Sequence, residues 1–181
     1  MPRAPYVDRE ELDEDGKRAW DEFAAPRKGR VENNPRLMLN SPRAATRIFA
    51  LNTYLRFEAG IPPKALALAT IVAGAVNRSE YVLAWHLPGA LNKGVSQAAV
   101  DAVASNGPLD DVPEDEAIII RYAREVLAAN VSDETFEAAQ EALGTRVLLD
   151  LTFVIGQYTL MHLVGSAFGV TRDAGWEPIL V

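Results

Sequence analysis

The sequence predicts an all-α protein, a bundle of about seven to eight helices, and three observations lead to this prediction. Residues that cap or end helices recur along the chain, apolar residues recur at helical spacing, and strand-like alternation is scarce. The chain has 181 residues, 49% of them hydrophobic, and is long enough to bury one substantial core. We therefore expect a single domain over residues 1–181, with an N-terminal helix and connector at 1–34 and an irregular tail at 171–181.

In the N-terminal half, capping residues and prolines open four predicted helices, and glycines or polar residues end them. A polar, basic connector from 26 to 34 separates the first helix from the second. Pro88 lies inside the fourth helix, where a proline removes one backbone N–H donor, so we expect a break or kink there. The four helices are predicted at residues 8–23, 41–58, 64–76 and 79–94.

Four more helices are predicted in the C-terminal half, at residues 96–105, 113–130, 132–144 and 146–168. The last of them is apolar on most sides, which is typical of a helix at the centre of a bundle or in a subunit interface. Its most apolar part nevertheless contains Asp150, Gln157 and His162. A charged group at the centre of a bilayer costs roughly 2.5–3.5 kcal/mol. We therefore predict a buried core helix and no membrane-spanning segment.

The composition excludes several classes of function. A formal net charge of −7 argues against a nucleic-acid partner and against binding to anionic membrane surfaces. The absence of cysteine from the sequence excludes disulfides, zinc–thiolate sites and thiol catalysis. The first residues, Met-Pro-Arg-Ala-Pro, are followed by acidic sequence and contain no apolar signal core, so we expect a cytoplasmic protein.

His86 is the first candidate for a catalytic group. Ser79 and Val82 precede it by seven and four residues, so on a helix the three side chains point the same way. An imidazole partly removed from water has a lowered pKa, which suits a neutral base near pH 7. The alternative is a core or interface histidine that makes one hydrogen bond. Glu80 lies about 120° around the helix from His86 and Tyr81 roughly opposite, so helical geometry alone does not pair either with His86, although each can still face a pocket or a neighbouring subunit.

The remaining candidates are His162, Tyr158 and Arg56. His162 follows Tyr158 by one turn of the last helix, as part of a polar seam in the core or of a ligand site. Arg56 lies near the end of the second predicted helix, where it can bind a substrate carboxylate or cap the helix carbonyls. Two distant histidines make poor metal ligands, and no glycine-rich phosphate loop is present, so we predict no metal site and no cofactor.

Several short motifs stand out: Leu55-Arg-Phe-Glu58, Pro62-Pro63, Glu80-Tyr81-x4-His86-x-Pro88, Gly94-Val-Ser96, Asp150-Leu-Thr152, Gly156-x-Tyr158 and Phe168-Gly-Val170. Together they resemble the carboxymuconolactone decarboxylase family, which includes the alkylhydroperoxidase D-like proteins. The resemblance covers most of the chain. It implies an all-α, alkylhydroperoxidase D-like subunit that forms a homo-oligomer, as a trimer, hexamer or dimer.

Redox-active members of this family have the pattern Glu-x11-Cys-x-x-Cys-x3-His. Here the four positions hold Ala67, Ser79, Val82 and His86, so only the histidine remains. Without a thiolate, thiol peroxidase and disulfide reductase activities are excluded.

Non-redox relatives often have Glu-Tyr-Glu-Trp-Ala-His-His before the proline, where this chain has Glu80-Tyr-Val-Leu-Ala-Trp-His86. Val82 and Trp85 replace an acidic residue and a histidine, which predicts a drier pocket for a more apolar substrate.

The resemblance thus implies a cofactor-free lyase, isomerase or lactone-processing enzyme that acts on a small organic acid or lactone. His86 is the expected general acid/base, assisted by Glu80 and Tyr81. The alternative is a non-catalytic oligomeric binding or structural protein on the same scaffold. A cavity lined by His86, Tyr81 and Trp85 favours the enzyme, and a tightly packed His86 favours the alternative. The expected substrate-binding residues are Arg56, Trp85, Ser79, Val82, Tyr158 and His162.

Overall fold

The computed structural model describes residues 2–171, which form eight α-helices and no strand. The prediction of an all-α bundle is therefore confirmed. Three short 3₁₀ turns, Arg9–Glu11, Ala25–Arg27 and Leu91–Lys93, and one π-helical turn, Tyr54–Glu58, connect or extend the helices. The helices are α1 Glu14–Ala24, α2 Asn33–Met38, α3 Pro42–Thr53, α4 Pro63–Val76, α5 Glu80–Ala90, α6 Gln97–Ala104, α7 Glu114–Leu127 and α8 Asp133–Phe168.

Helix α4 is the centre of the bundle. It packs against α5, α7 and α8, and most of its side chains are buried. Small residues let the neighbouring helices approach closely. A Cβ atom added at Gly74 would lie 3.0 Å from Val82 and 3.1 Å from Leu83, so these side chains pack directly against the glycine where α5 crosses α4. This contact sets the position of α5, which carries His86.

The buried side chains form two clusters. The larger one surrounds α4 and includes residues of α5, α6, α7 and α8. The smaller one lies between α1 and α3 and is centred on Phe23 and Phe49, whose ring centroids are 4.3 Å apart. Helix α8 contributes to both clusters, and the cavity described below is lined by residues of both, Phe23 of the smaller and Val82 and Tyr158 of the larger.

The first predicted helix, at residues 8–23, is wrong in one respect. Asp8 and Glu11 do form the expected capping box, but it encloses only the short turn Arg9–Glu11. The chain is extended at Leu12 and Asp13, and the Asp13 side chain accepts a hydrogen bond of 2.8 Å from Gly16 N–H to begin α1. The sequence also gave no sign of α2, since six residues are too few for a periodic pattern.

The predicted boundary between residues 144 and 146 corresponds to a break inside α8. Gly144 has φ +74° and ψ +155°, which interrupts the helical conformation between its two parts. By length and composition alone α8 could cross a membrane, but several of its side chains, Leu148, Leu151, Val154 and Ile155 among them, belong to the buried core.

Pro88 does not end α5. The helix continues to Ala90, and the turn Leu91–Lys93 extends it to Gly94, which has φ +83°. The predicted irregular tail at 171–181 lies, apart from Thr171, outside the described residues.

Candidate functional site

A cavity of about 370 Å³ opens between residues of the two buried clusters. This volume is at the small end of the range typical of sites for small organic molecules, roughly 300–1,000 Å³. Its walls come from the segment between α1 and α2, the π-helical turn Tyr54–Glu58, one face of α5, and α8. The lining residues are Phe23, Pro26, Arg27, Lys28, Arg30, Glu32, Asn34, Pro35, Asn52, Arg56, Phe57, Tyr81, Val82, Trp85, His86, Gly89, Lys93, Tyr158 and Met161.

One face of α5 supplies a wall of the cavity. Ser79 caps this helix, since its hydroxyl accepts a hydrogen bond of 3.4 Å from Val82 N–H. Helical periodicity then brings Tyr81, Val82, Trp85, His86 and Gly89 to the cavity. The expected common direction of Val82 and His86 is present, while Ser79 is buried beneath the helix start.

His86 packs against Tyr158 of α8. The two ring centroids are 5.0 Å apart, and the rings meet edge to face at 88°. This contact holds the imidazole at the cavity wall and leaves its nitrogen atoms without a hydrogen-bond partner among residues 2–171. Burial holds the pKa of His86 well below its ordinary value of 6.5, and the positive charges of Arg56 and Lys93 lower that pKa further. At neutral pH His86 is therefore an uncharged base.

The cavity carries positive charge although the protein is acidic overall. Five cationic side chains line it, against one carboxylate, Glu32, among the described lining residues, whereas the whole sequence has a net charge of −7. Such a concentration of one sign in a cleft attracts ligands of the opposite charge. The five are Arg27, Lys28, Arg30, Arg56 and Lys93.

Arg27 stiffens the cavity wall. Its guanidinium carbon lies 3.8 Å from the ring centroid of Phe23, and its Nη1 donates to the Phe23 carbonyl at 2.6 Å. It also donates to the Asn52 side chain, and its Nε is buried without an acceptor among the described residues. Burial, followed by the charge of Arg56, lowers the pKa of Arg27 to about 10, so the group remains a cation at neutral pH.

Aromatic side chains give the cavity its apolar surface. Phe23, Phe57, Trp85 and Tyr158 all line it. Arg30 lies over the Trp85 ring, with its guanidinium carbon 5.1 Å from the ring centroid. Flat apolar walls with cations at their edges fit an aromatic or unsaturated anion.

Asn34 marks the polar end of the cavity. Its side chain is almost fully buried, its Nδ2 donates to the Met161 carbonyl at 2.9 Å, and its backbone N–H donates to the Tyr81 hydroxyl at 3.3 Å. Its Oδ1 is buried without a donor among residues 2–171. A buried amide oxygen in that state costs stability, and the Met161 bond fixes which way the amide points.

A second cavity of about 230 Å³ adjoins the first. Both cavities are lined by Arg56, Phe57, His86, Lys93 and Tyr158, while Ile61, Pro63, Leu66 and Thr70 line the second alone. The imidazole and the two cations beside it therefore stand where the two cavities meet.

The structure brings six of the nine predicted site residues to the cavity: His86, Tyr81, Arg56, Trp85, Val82 and Tyr158. Three do not line it. Ser79 is the buried cap of α5, Glu80 is exposed at the start of that helix, and His162 lies half-buried on α8 beyond Tyr158. Glu80 therefore does not reach His86 within this chain.

Sequence reasoning did not identify the other cavity residues. Lys28 and Arg30 belong to a connector that the sequence showed to be basic, which was the available signal. Lys93, Asn34 and Asn52 carry no local signal, since only the packing of distant segments places them at the cavity. Residues 2–171 contain no group of three or more His, Asp or Glu side chains arranged to hold a metal ion.

The helical arrangement defines the class of fold: an all-α, AhpD-like bundle. An uncharacterized peroxidase-related protein with the AhpD core from Ralstonia eutropha JMP134 superposes with a TM-score of 0.77 at 20% identity, covering 96% of this chain and 93% of that one. A peroxidase-related protein from Silicibacter sp. TM1040 superposes with a TM-score of 0.73 at 16% identity, over 97% and 94% of the two chains.

Residues 42–118 match the model of the Carboxymuconolactone decarboxylase family, so the resemblance predicted from the motifs is confirmed over these residues. The sequence contains no cysteine, so the matched region lacks the redox cysteines. No curated protein sequence matches it significantly.

The debrominase Bmp8, solved as a cysteine-to-alanine variant with 2,3,4-tribromopyrrole, shares the fold with a TM-score of 0.73 at 15% identity, over 96% of this chain and 92% of that one.

Proposed function

We propose that this protein is a cofactor-free enzyme that acts on a small organic acid or lactone by acid/base chemistry at His86. The observation that carries the proposal is an uncharged imidazole at the wall of an open cavity, next to Arg56 and Lys93. A structural protein on the same scaffold needs no such cavity, so an open site lined by His86, Tyr81 and Trp85 supports the enzyme.

The proposed substrate is an anion with a flat apolar body. The aromatic walls bind the body, and the five cationic side chains attract the charge. The sequence alone predicted a drier pocket for a more apolar substrate. The proposed substrate keeps an apolar body, which the aromatic walls bind, and adds a charge, because five cationic side chains line the cavity. In a protein with the same fold, Bmp8, the bound 2,3,4-tribromopyrrole is also a small aromatic ring.

The proposed reaction is proton transfer by His86. The imidazole removes a proton from a carbon next to the carbonyl group of the substrate, and the electrons of that C–H bond move to the carbonyl oxygen. Arg56 and Lys93, whose positive charges act on the imidazole, stabilise the negative charge that develops. In an isomerisation, the imidazolium returns the proton to a different carbon as the electrons move back from the carbonyl oxygen. In an elimination, those electrons form a C=C bond and break the bond to a leaving group on the β-carbon, which departs with that bond's electron pair and takes the proton from the imidazolium.

Thiol chemistry has no part in the proposal. The structural relatives include peroxidase-related proteins, but Ser79 and Val82 occupy the positions of the two cysteines in the redox pattern, and the sequence contains no cysteine. Tyr81 lines the cavity and can donate its hydroxyl proton to a substrate oxygen. Glu80 is exposed at the start of α5, so it can assist the proton transfer only by reaching into the cavity of a neighbouring copy.

We also propose that the protein forms a homo-oligomer. The face of α8 that the core leaves uncovered is apolar, and it exposes Leu149, Phe153, Leu160 and Leu163. These residues are spaced by four, seven and three positions, which places them on one side of a helix. A second copy of this chain, presenting the same stripe, covers such a face without placing a charge in it.

The experiment that tests the proposed function begins with a thermal-shift screen of lactones, muconate-type diacids and small aromatic acids, followed by turnover assays on the compounds that bind. We expect His86→Gln to lower kcat by roughly 10²–10⁴-fold, the usual contribution of a general acid/base, and to leave the fold intact. His162→Gln is the matched control, since His162 does not line the cavity, and it is expected to retain activity.

Two outcomes contradict the proposal. If a turned-over substrate is found and His86→Gln retains the wild-type kcat, His86 is not the acid/base group. If no compound of these classes stabilises the protein, the non-catalytic scaffold is the better description, because a ligand at 100 times its Kd adds about 2.7 kcal/mol of stability and is readily detected.

A further inference from the structure

We infer that Arg56 and Lys93 form the binding site for the ligand's carboxylate at the junction of the two cavities, and that binding of this carboxylate is coupled to proton uptake by His86. The inference deepens the proposed function and rests on it for the class of ligand. It adds Lys93, which no motif indicated, as a residue that determines specificity. It also assigns the charged end of the ligand to one end of the larger cavity.

Arg56 and Lys93 are neighbouring cations without a counter-ion among residues 2–171. Among residues 2–171 neither forms an ion pair or a hydrogen bond, and the Arg56 guanidinium carbon lies 5.4 Å from the centroid of the Phe57 ring. Burial lowers the pKa of Lys93, and the charge of Arg56 lowers it further. Arg56 is half-buried and Lys93 is exposed, and these two like charges at one cavity repel each other. A carboxylate placed between them offsets that repulsion.

The other cations of the cavity are less suited to this role. Arg27 donates to the Phe23 carbonyl, to Thr53 and to Asn52, so its guanidinium is already engaged. Arg30 lies over the Trp85 ring. Lys28 lies in a left-handed turn with φ +57° and does not line the second cavity. Arg56 and Lys93 alone among the five line both cavities.

The cavity is long enough to hold a ligand along α5. Along α5 and the turn that extends it, the lining runs from Tyr81 to Lys93, and 12 residues of helix span about 18 Å. Along this path Lys93 lies at one end and Tyr81, which accepts from Asn34 N–H, at the other, while the charge of Arg56 acts on both His86 and Lys93. A ligand held by its carboxylate at Lys93 lies along the aromatic walls past His86, which places its reacting carbon beside the imidazole.

The coupling to His86 follows from the charges around the imidazole. Its proton affinity is low because it is buried and because Arg56 and Lys93 are positive. A bound carboxylate cancels part of their field, so the imidazole becomes the stronger base in the complex. The other cations of the cavity limit this rise in the pKa of His86, whereas the negative charge of Glu32 adds to it. The titratable groups that share the cavity with His86 are Arg56 of the π-helical turn, Lys93, Tyr81 of α5, Tyr158 of α8, and Arg27, Lys28, Arg30 and Glu32 of the segment between α1 and α2.

The test uses the protein's two histidines. Imidazole ¹⁵N chemical shifts are followed against pH, with His162→Gln identifying the His86 signal. The probe is benzoate, and benzamide is the uncharged control of the same shape. We expect benzoate to raise the pKa of His86 and benzamide to leave it unchanged. By linkage, benzoate binds more tightly as the pH falls through the raised pKa of His86 in the complex, until the pH reaches the lower pKa of His86 in the free protein.

Lys93→Gln and Arg56→Gln test the site itself. Each is expected to weaken benzoate binding by roughly tenfold to a hundredfold, the usual effect of one charged hydrogen-bond partner, and to raise the pKa of His86 in the free protein. Lys17→Gln is the matched control, because Lys17 pairs with Glu14 on α1 and does not line the cavity. It is expected to change neither quantity. Circular dichroism confirms that each variant is folded.

The inference is overturned if both cavity variants bind benzoate as the wild type does, or if benzoate, phenylacetate and hexanoate all fail to bind. Benzoate binding without a change in the pKa of His86 overturns the coupling. These results are separable from those for the function. Turnover of an uncharged lactone without carboxylate binding would support the proposed enzyme and contradict the anion site. Carboxylate binding with proton uptake but no turnover would support the anion site and contradict the proposed enzyme.

Discussion

At the scale of single residues, the central feature is an imidazole kept neutral by its surroundings. His86 is held against Tyr158 and faces two cations, so the folded protein binds a proton there only well below pH 6.5. The same cations that weaken its basicity in the free protein attract the anion proposed to restore it. One pair of side chains, Arg56 and Lys93, can thus serve both ligand binding and the control of the base.

The lowered pKa of His86 predicts how stability depends on pH. Below about pH 6.5 the unfolded chain binds a proton at this residue before the folded chain does, so the free energy of unfolding decreases until the pH reaches the lowered pKa. Each pKa unit of difference corresponds to about 1.4 kcal/mol. His86→Gln removes this contribution, so urea unfolding across that pH window should show a shallower loss of stability than in the wild type.

His162→Gln is the control for this measurement. Burial also lowers the pKa of His162, but this residue lies away from Arg56 and Lys93. We expect His162→Gln to keep most of the wild-type dependence. Equal slopes for the wild type and His86→Gln would show that His86 titrates normally in the folded protein.

At the scale of elements, the π-helical turn Tyr54–Glu58 is the part that places Arg56 and Phe57. Side chains of helix α8 form hydrogen bonds to this turn and to the residue that follows it. Arg146 Nη1 donates to the Ala59 carbonyl at 2.7 Å and to Asp150 Oδ2 at 2.9 Å, and the Tyr54 hydroxyl donates to the same carboxylate oxygen at 3.4 Å. Asp150, a polar residue that was unexpected in an apolar helix, thereby has a defined structural partner.

Arg146→Met is therefore expected to loosen the turn. The change removes two hydrogen bonds and leaves the buried Asp150 carboxylate with Tyr54 alone, at a cost of roughly 1–3 kcal/mol of stability. Since Arg56 then samples more positions, the Kd for benzoate should rise severalfold while the pKa of Lys93 stays lowered. Arg47→Met, at an exposed arginine that bonds only a carbonyl of its own helix, is the control. An unchanged Kd for benzoate in Arg146→Met would show that Arg146 does not position Arg56.

At the scale of the whole molecule, the site is made by the meeting of two packed units rather than by either alone. The family match at residues 42–118 covers α3 to the start of α7. Three of the five cavity cations, Arg27, Lys28 and Arg30, precede that region, and Tyr158 follows it. The cavity therefore combines residues of the matched region, Arg56 and Lys93 among them, with residues from segments outside it.

The apolar stripe on α8 predicts the state of assembly. Leu149 and Leu163 expose 53% and 58% of their surface, and a double change to glutamate places like charges across an interface between two copies. We expect this variant to be smaller than the wild type in light scattering coupled to size-exclusion chromatography. Phe136→Glu, on the same helix before the break at Gly144, is the control and should keep the wild-type mass. A monomeric wild type would remove the proposed oligomer.

The local features of this protein follow from the sequence. Ser79 and Ser96 cap the helices they were expected to cap, and the α5 face carrying Val82 and His86 was read from helical spacing. Such features involve residues within one or two turns of each other, where chain geometry allows few arrangements. The absence of cysteine needs no structure to exclude thiol chemistry.

Only the tertiary structure decided which charges meet. Arg30, Arg56 and Lys93 are separated by tens of residues, and no periodicity relates them, so their presence at one cavity depends on how α1, α5 and α8 pack. The same packing turns Glu80 and His162 away from that cavity, although helical spacing had left both as candidates. Local sequence thus determined the helices, their ends and the face bearing His86, while long-range packing determined the cationic cavity, because hydrophobic burial fixes which helix faces meet and charges follow the backbone that carries them.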